Sequence, residues 1–207
     1  MMINIPDRST FENAYADKAP WDIAGPQPAY VAIAGQITGS ILDAGCGTGE
    51  NALFFANGGH KVTGIDYLEE PIRRAKQKAA ERRVPVNFLV MDALALATLP
   101  ETFDSVIDSG LFHVFSDEDR KKYVAGLASV LKPSGRLYLM CFSDEEPGVV
   151  GPRRISKADL QAAFRDHWQI ESVQPTHFEV IPAFSHVFTA GGPKAWFVIV
   201  KRIELGL

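Results

Sequence analysis

The stretch Ile41-Leu42-Asp43-Ala44-Gly45-Cys46-Gly47-Thr48-Gly49-Glu50 decides how this chain is to be read. Its first residues form the end of a buried strand, and three glycines at alternate positions make a sharp turn. Glu50 then opens a helical run with Ala52, Leu53, Phe55 and Ala56 apolar. Glycines so spaced let the main chain approach a ligand that side chains would hold off. A dinucleotide-binding turn runs G-x-G-x-x-G, and its third glycine would fall where Glu50 stands. The spacing here is D-x-G-x-G-x-G, with a carboxylate ahead of the turn. Acidic company suits a cationic ligand, whereas a pyrophosphate asks for bare N–H groups at a helix N-terminus.

Outward from this motif, short apolar runs alternate with amphipathic ones. Strands are predicted at about 40–43, 61–65, 86–90, 103–107, 136–142, 168–173 and 195–201. Helices are predicted after the glycine turn, after Pro71, after Ser116 and near Ser156, with Asn57-Gly58-Gly59 as a left-handed cap. Lys132-Pro133-Ser134-Gly135 breaks the helix that begins at Ser116. The alternation specifies an α/β fold, a doubly wound and mostly parallel seven-stranded sheet. A single domain spans 39–207, preceded by residues 1–38 as a helical or looped lid.

Composition sets bounds on function. A chain of 207 residues with 46% hydrophobic and 22% charged residues can bury a full core. A net charge of −4 argues against a nucleic-acid partner, and the basic run from Arg73 to Arg83 reads as the wet face of a helix. No apolar run is long enough to span a bilayer, and the N-terminus lacks the pattern of a signal peptide. Cys46 and Cys141 show no metal-type spacing, so neither a metal site nor a disulfide is expected. A cytoplasmic protein is expected, with neither nucleic acid nor membrane as partner, and composition leaves monomer or homodimer open.

In a doubly wound sheet ligands sit beyond the carboxyl ends of the strands. Four aspartates fall there: Asp43, Asp66, Asp92 and Asp108. Any one of them reads equally well as a turn former or helix cap; four in step with the glycine motif do not. The combined pattern over 41–110 resembles the class I S-adenosylmethionine (SAM)-dependent methyltransferases, whose Rossmann-like fold carries a last strand inserted antiparallel. The resemblance implies SAM as cofactor and S-adenosylhomocysteine as product. It implies cofactor contacts from Asp43, Gly45, Cys46 and Gly47, with Asp43 near the ammonium. Asp66 and Tyr67 would lie at the ribose, Asp92 and Ala93 at the adenine, and Asp108 and Ser109 at the strand-four end.

Trp21-Asp22-Ile23-Ala24-Gly25-Pro26-Gln27-Pro28 is similar to a W-D-x-G-x-P-Q-P stretch in a small-molecule branch of that family, with Ala24-Gly25 departing from its commoner spacing. That branch includes thiopurine and thiol methyltransferases and bacterial enzymes acting on phenolic or quinol-like compounds. The likeness implies that Trp21 and Tyr15 cover both cofactor and acceptor, and that the methyl goes to an O or S atom by in-line displacement. His113, just past strand four, is the candidate general base. Phe112 and Arg153 are candidate acceptor contacts. Asp108-Ser109-Gly110-Leu111 lacks the N-P-P-Y-type tetrapeptide of base and amide N-methylation. An NAD(P)-binding oxidoreductase and a noncatalytic SAM-binding protein remain the alternatives.

Overall fold

The computed structural model describes residues 5–204. Its strands are β1 (Ile41–Ala44), β2 (Val62–Asp66), β3 (Asn87–Val90), β4 (Phe103–Ser109), β5 (Leu131–Phe142), β6 (Trp168–His177) and β7 (Lys194–Arg202). Six α-helices accompany them among the described residues: α1 (Arg8–Ala16), α2 (Pro28–Ala32), α3 (Glu50–Asn57), α4 (Glu69–Arg82), α5 (Asp117–Val130) and α6 (Lys157–Ala163). The sheet order is β3-β2-β1-β4-β5-β7-β6, with β7 antiparallel to both neighbours and the rest paired in parallel. All seven predicted strands are present. The order reverses between β1 and β4, which puts the switch point beside Asp43 and Asp108.

Side chains alternate across the strands and sort into two cores. Leu42, Val106, Leu137 and Leu139 pack with Tyr123, Leu127 and Leu160 of α5 and α6. Ile41, Ile107, Tyr138 and Met140 pack with Leu53, Phe55, Ile72 and Ala75 of α3 and α4. Asp43 and Asp108 are one residue out of phase with each other along paired strands (Ala44 pairs with Asp108), so their carboxyls enter opposite faces.

Local chemistry sets the helix ends. Ser116 accepts the Asp119 N–H at 3.0 Å, and Ser156 forms a reciprocal capping box with Asp159. Gly59, with φ 93°, turns the chain out of α3 as His60 donates back to the Phe55 carbonyl. β5 starts earlier than predicted, because Leu131 already pairs with Phe103. The turn 132–135 then bulges out of the ladder before Arg136 pairs with Ser105.

The predicted lid divides in two. Tyr30 and Ile37 are fully built into the α3–α4 core, and the Tyr30 hydroxyl lies 2.8 Å from the Asp108 carbonyl and 3.1 Å from that of Tyr138. Residues 28–38 thus belong to the core, and only the segment before them forms an arm.

Candidate active site

The glycine turn joins β1 to α3, and its three glycines all occupy the left-handed region, with φ 70° at Gly45, 53° at Gly47 and 85° at Gly49. A Cβ would come within 3.0 Å of Leu111 at Gly45, 2.8 Å of the Tyr15 hydroxyl at Gly47 and 2.7 Å of Phe88 at Gly49. Glycine is therefore demanded by backbone conformation and by the protein's own packing, rather than only by approach of a ligand. Cys46 donates its N–H to the Ile65 carbonyl at 2.8 Å, pinning the turn to β2. Burial, then Asp43 and Asp66, push the Cys46 thiol up, so it is a small spacer rather than a nucleophile.

The four aspartates take different roles. Asp43 is buried, and neither carboxyl oxygen makes a hydrogen bond of good geometry among the described residues, the Ala52 N–H of α3 being a weak neighbour. Burial pushes its carboxyl up to about 8 against the Ala52 N–H, with Asp108 and Asp66 adding to the rise. A buried carboxylate without a partner is unfavourable by several kcal/mol unless a cation or donors meet it. Those two orphaned oxygens fit a ligand ammonium. Asp66 accepts the Leu68 N–H at 3.0 Å and the Gly47 N–H at 3.2 Å, and keeps spare lone pairs for hydroxyl donors. Asp92 is exposed and caps the turn at Ala93–Thr98 by accepting the Leu94 N–H at 2.8 Å. Ala93 itself packs into the α5 core. Ser109, half-buried, ends β4.

Asp108 corrects the expectation of a cofactor-facing side chain. Fully buried, it accepts from Leu111 N at 2.8 Å, Phe112 N at 3.1 Å and the Tyr123 hydroxyl at 2.9 Å. Its carboxyl is pushed up to about 7 by burial. The bland reading wins here, because the carboxylate satisfies the turn that follows β4.

The arm is tied down residue by residue. Trp21 Nε1 donates to the Tyr15 hydroxyl at 3.0 Å, placing Tyr15 against Gly47 while Trp21 stays 41% exposed. Phe11 meets both Trp21 and Tyr67 edge-on. Asp22 accepts from the Thr48 hydroxyl at 2.5 Å, and Gln27 exchanges two hydrogen bonds with the Glu179 backbone. The basic face of α4 is largely solvated, as read from the sequence, but three of its cations find partners near the site. Arg74 donates to the Tyr15 carbonyl, while Lys78 and Arg82 hold Glu50. Asp22 and Gln27 lay in the quoted segment, but nothing local to it named their partners.

On the acceptor side three expectations are corrected. Phe112 is fully buried, stacked on Phe164 at 5.6 Å, so it is core rather than acceptor wall. Arg153 is held by Asp117 at 2.5 Å and by Asp159 at 3.9 Å, which bridges α5 to α6 and engages the Arg153 charge within the protein. His113 is 6% exposed, and its Nδ1 accepts the Phe142 N–H at 3.0 Å. That bond places the ring proton on Nε2, and burial followed by Arg154 and Arg120 lowers the imidazole to about 3. With its one lone pair occupied, His113 is a donor and not a general base. The residues around it, Phe142, Phe178 and Phe188, were missed. Of these only Phe142, at the carboxyl end of β5, could have been found by the strand-end rule.

Comparison with known proteins agrees with this geometry. A methyltransferase-domain family matches residues 41–135. A 2-heptyl-1-hydroxyquinolin-4(1H)-one methyltransferase of Mycobacteroides abscessus is 31% identical over 178 residues, covering 80% of this chain and 78% of that protein. A solved structure concerned with the conversion of a disulfide bond into a thioacetal group during echinomycin biosynthesis is 33% identical. It superimposes with a TM-score of 0.82 over 94% of this chain and 92% of the other. The Burkholderia thailandensis 1,6-didemethyltoxoflavin-N1-methyltransferase, at 23% identity, 95% and 87% coverage and a TM-score of 0.72, shares the fold. With the glycine turn, the orphaned Asp43 and the reversal of strand order at one point, this chain belongs to the SAM-dependent methyltransferases that act on small molecules.

Proposed function

We propose that the enzyme moves the SAM methyl group to an O or S atom of a small aromatic or thiol-bearing molecule by in-line displacement. When bound, SAM supplies an activated methyl on a sulfonium, so the protein's task is to align and desolvate the nucleophile. Asp43 would hold the ammonium against the glycine turn at Gly45, Cys46 and Gly47. Asp66 would accept the ribose hydroxyls, with Tyr67 beside it. Asp92 and Ala93 would border the adenine, and Ser109 the methyl end. Tyr15 and Trp21 would cover the cofactor as a lid made of residues before 28. Arg8 over the Tyr67 ring at 5.2 Å, and Phe11 against the same ring, support that cover.

The single observation that carries the cofactor assignment is the pair of unpartnered Asp43 oxygens beside three left-handed glycines. Support for an aromatic acceptor comes from the cluster of Phe142, Phe178 and the half-buried Phe188 beside His113, an apolar surface suited to a flat ring. The similar proteins named for a hydroxyquinolinone and for disulfide-to-thioacetal conversion point to oxygen and sulfur chemistry. The fold neighbour named as an N1-methyltransferase leaves nitrogen as the second reading. Radiolabelled SAM, screened against thiols, phenols, hydroxylated heterocycles and ring amines, tests this directly. Label in the oxygen or sulfur compounds is expected, and label confined to ring amines would overturn the proposal.

A further inference from the structure

His113, Phe142, Phe178 and Phe188 come from separate segments and close on one another past the ends of β4 and β5. His113 stacks on Phe142 with centroids 5.1 Å apart and planes at 15°. Phe178 meets His113 edge-on at 5.9 Å and Phe142 at 5.4 Å, and Phe188 lies 5.8 Å from Phe142. The Arg154 guanidinium sits 5.0 Å from the Phe142 ring centroid. All four of its side-chain hydrogen bonds go to carbonyls, of Glu146, Pro147, Val150 and Pro152. Neutral carbonyls hold the guanidinium in place and leave its charge uncancelled by any carboxylate in direct contact.

The surrounding charges act both ways: the Glu146 carboxylate offsets part of the Arg154 charge from beyond ion-pair distance, and Arg120 adds to it. Arg120, buried on the Phe112 ring at 4.7 Å, adds a second positive field at His113. Asp108 is taken up by Leu111, Phe112 and Tyr123, and Glu146 by Thr189 and the Lys194 N–H. Asp144 accepts from Trp196, while Asp117 and Asp159 face Arg153. A neutral N–H donor and a cation favour a bound anion against the desolvation that the apolar walls impose, while burial and the cations disfavour a positive charge on the imidazole.

We infer that the acceptor is an acidic hydroxyl or thiol compound that binds as a preformed anion. Its nucleophilic O or S is oriented by the His113 Nε2–H in the field of Arg154, and the protein supplies no general base. This rests on the O- or S-methylation reading above. In the transfer, a lone pair of the anionic O or S forms the bond to the methyl carbon as the carbon–sulfur bond breaks toward sulfur. Two opposite charges are neutralised, and no proton moves.

The test uses the enzyme bound to S-adenosylhomocysteine, with 4-nitrophenol as a chromophore whose colour reports its ionisation. Binding of S-adenosylhomocysteine by calorimetry first confirms a folded cofactor site in every variant, independently of any acceptor. The nitrophenol is expected to bind as the phenolate, its apparent pKa lowered by about one unit or more, equivalent to tenfold tighter binding of the anion. Uptake as the neutral phenol would overturn the inference while leaving SAM binding intact. Arg154→Met should weaken phenolate binding about tenfold, and Arg154→Lys should restore part of it.

For turnover, para-substituted phenols and thiophenols are ordered by acidity. The rise of kcat/KM with pH should move with the acceptor's own pKa. His113→Leu should lose about tenfold to a hundredfold, and His113→Gln, able to accept from Phe142 and donate onward but not to take a proton, should recover most of that. An inflection that stays put across the series, with Gln no better than Leu, would show a protein base instead.

Discussion

The ends of β1 and β2 are lined by residues that lie close together in the chain, between Asp43 and Leu68. The ends of β4 and β5 are lined instead by His113, Phe142, Arg154, Phe178 and Phe188, drawn from five separated segments. The first group is a turn tied to the end of β2 through Ile65 and Asp66 and to the arm through Asp22, and its polar residues project where the backbone aims them. The second is a packed aromatic cluster whose members mean nothing singly. Evolution can vary the second without disturbing the first, which is how one cofactor site serves many acceptors.

The largest expected effect tests where that boundary runs. Phe112 adjoins His113 but packs with Phe164 and Arg120 in the core. Phe112→Ala should destabilise by about 3–5 kcal/mol in urea unfolding while the acceptor KM of the folded fraction holds. A raised KM at unchanged stability would return Phe112 to the acceptor wall.

Asp43→Asn probes the cofactor side. The Asp43 carboxyl titrates at about 8 when folded against an ordinary 3.8. Between those values the folded state holds a proton that the unfolded state has released, so stability falls as pH rises through that window. The asparagine variant removes this slope. Without ligand it should melt higher than the parent above pH 7. Its SAM affinity should nonetheless fall by about 1.5–3 kcal/mol, tenfold to over a hundredfold. Equal SAM affinity by calorimetry would place the ammonium elsewhere.

Asp66→Ala should weaken SAM by about 1–3 kcal/mol if the carboxylate accepts ribose hydroxyls. Because Asp66 also anchors the Gly47 N–H, S-adenosylhomocysteine and a 2′,3′-dideoxy analogue should be compared. Loss for both alike would assign the residue to the turn alone. The smallest effect belongs to the arm. Tyr15→Phe removes the acceptor of the Trp21 N–H and should change SAM binding by about 0.5–1.5 kcal/mol, mainly as faster dissociation in stopped flow. An unchanged off-rate would make the arm a packing anchor rather than a cover.

Legibility followed the same division. All seven strands and the caps at Ser116, Ser156 and Gly59 could be read because period, turn chemistry and capping act within a few residues. The early start of β5 could not, because pairing of Leu131 with Phe103 is a matter between strands. Tyr30 looked like part of a lid, yet its hydroxyl reaches two carbonyls on different strands, which no local pattern announces. Arg153 and His113 carried plausible chemistry by type and position. Their partners, Asp117 and the Phe142 N–H, lie about 30 residues or more away in the chain and reverse both readings.

By itself the sequence determined the doubly wound fold, the glycine turn from Asp43 to Gly49 and the family, since a D-x-G-x-G-x-G turn between strand and helix has few physical uses. Tertiary structure alone decided which aspartates remain free for a ligand. Asp43 keeps no hydrogen bond of good geometry and only the nearby Ala52 N–H, whereas Asp108 is consumed by three donors. It also decided that His113 spends its one acceptor, Nδ1, on the Phe142 N–H and keeps a donor rather than a base at Nε2. Protonation and hydrogen-bond capacity depend on what surrounds a group in space, and for these residues the surroundings come from distant parts of the chain.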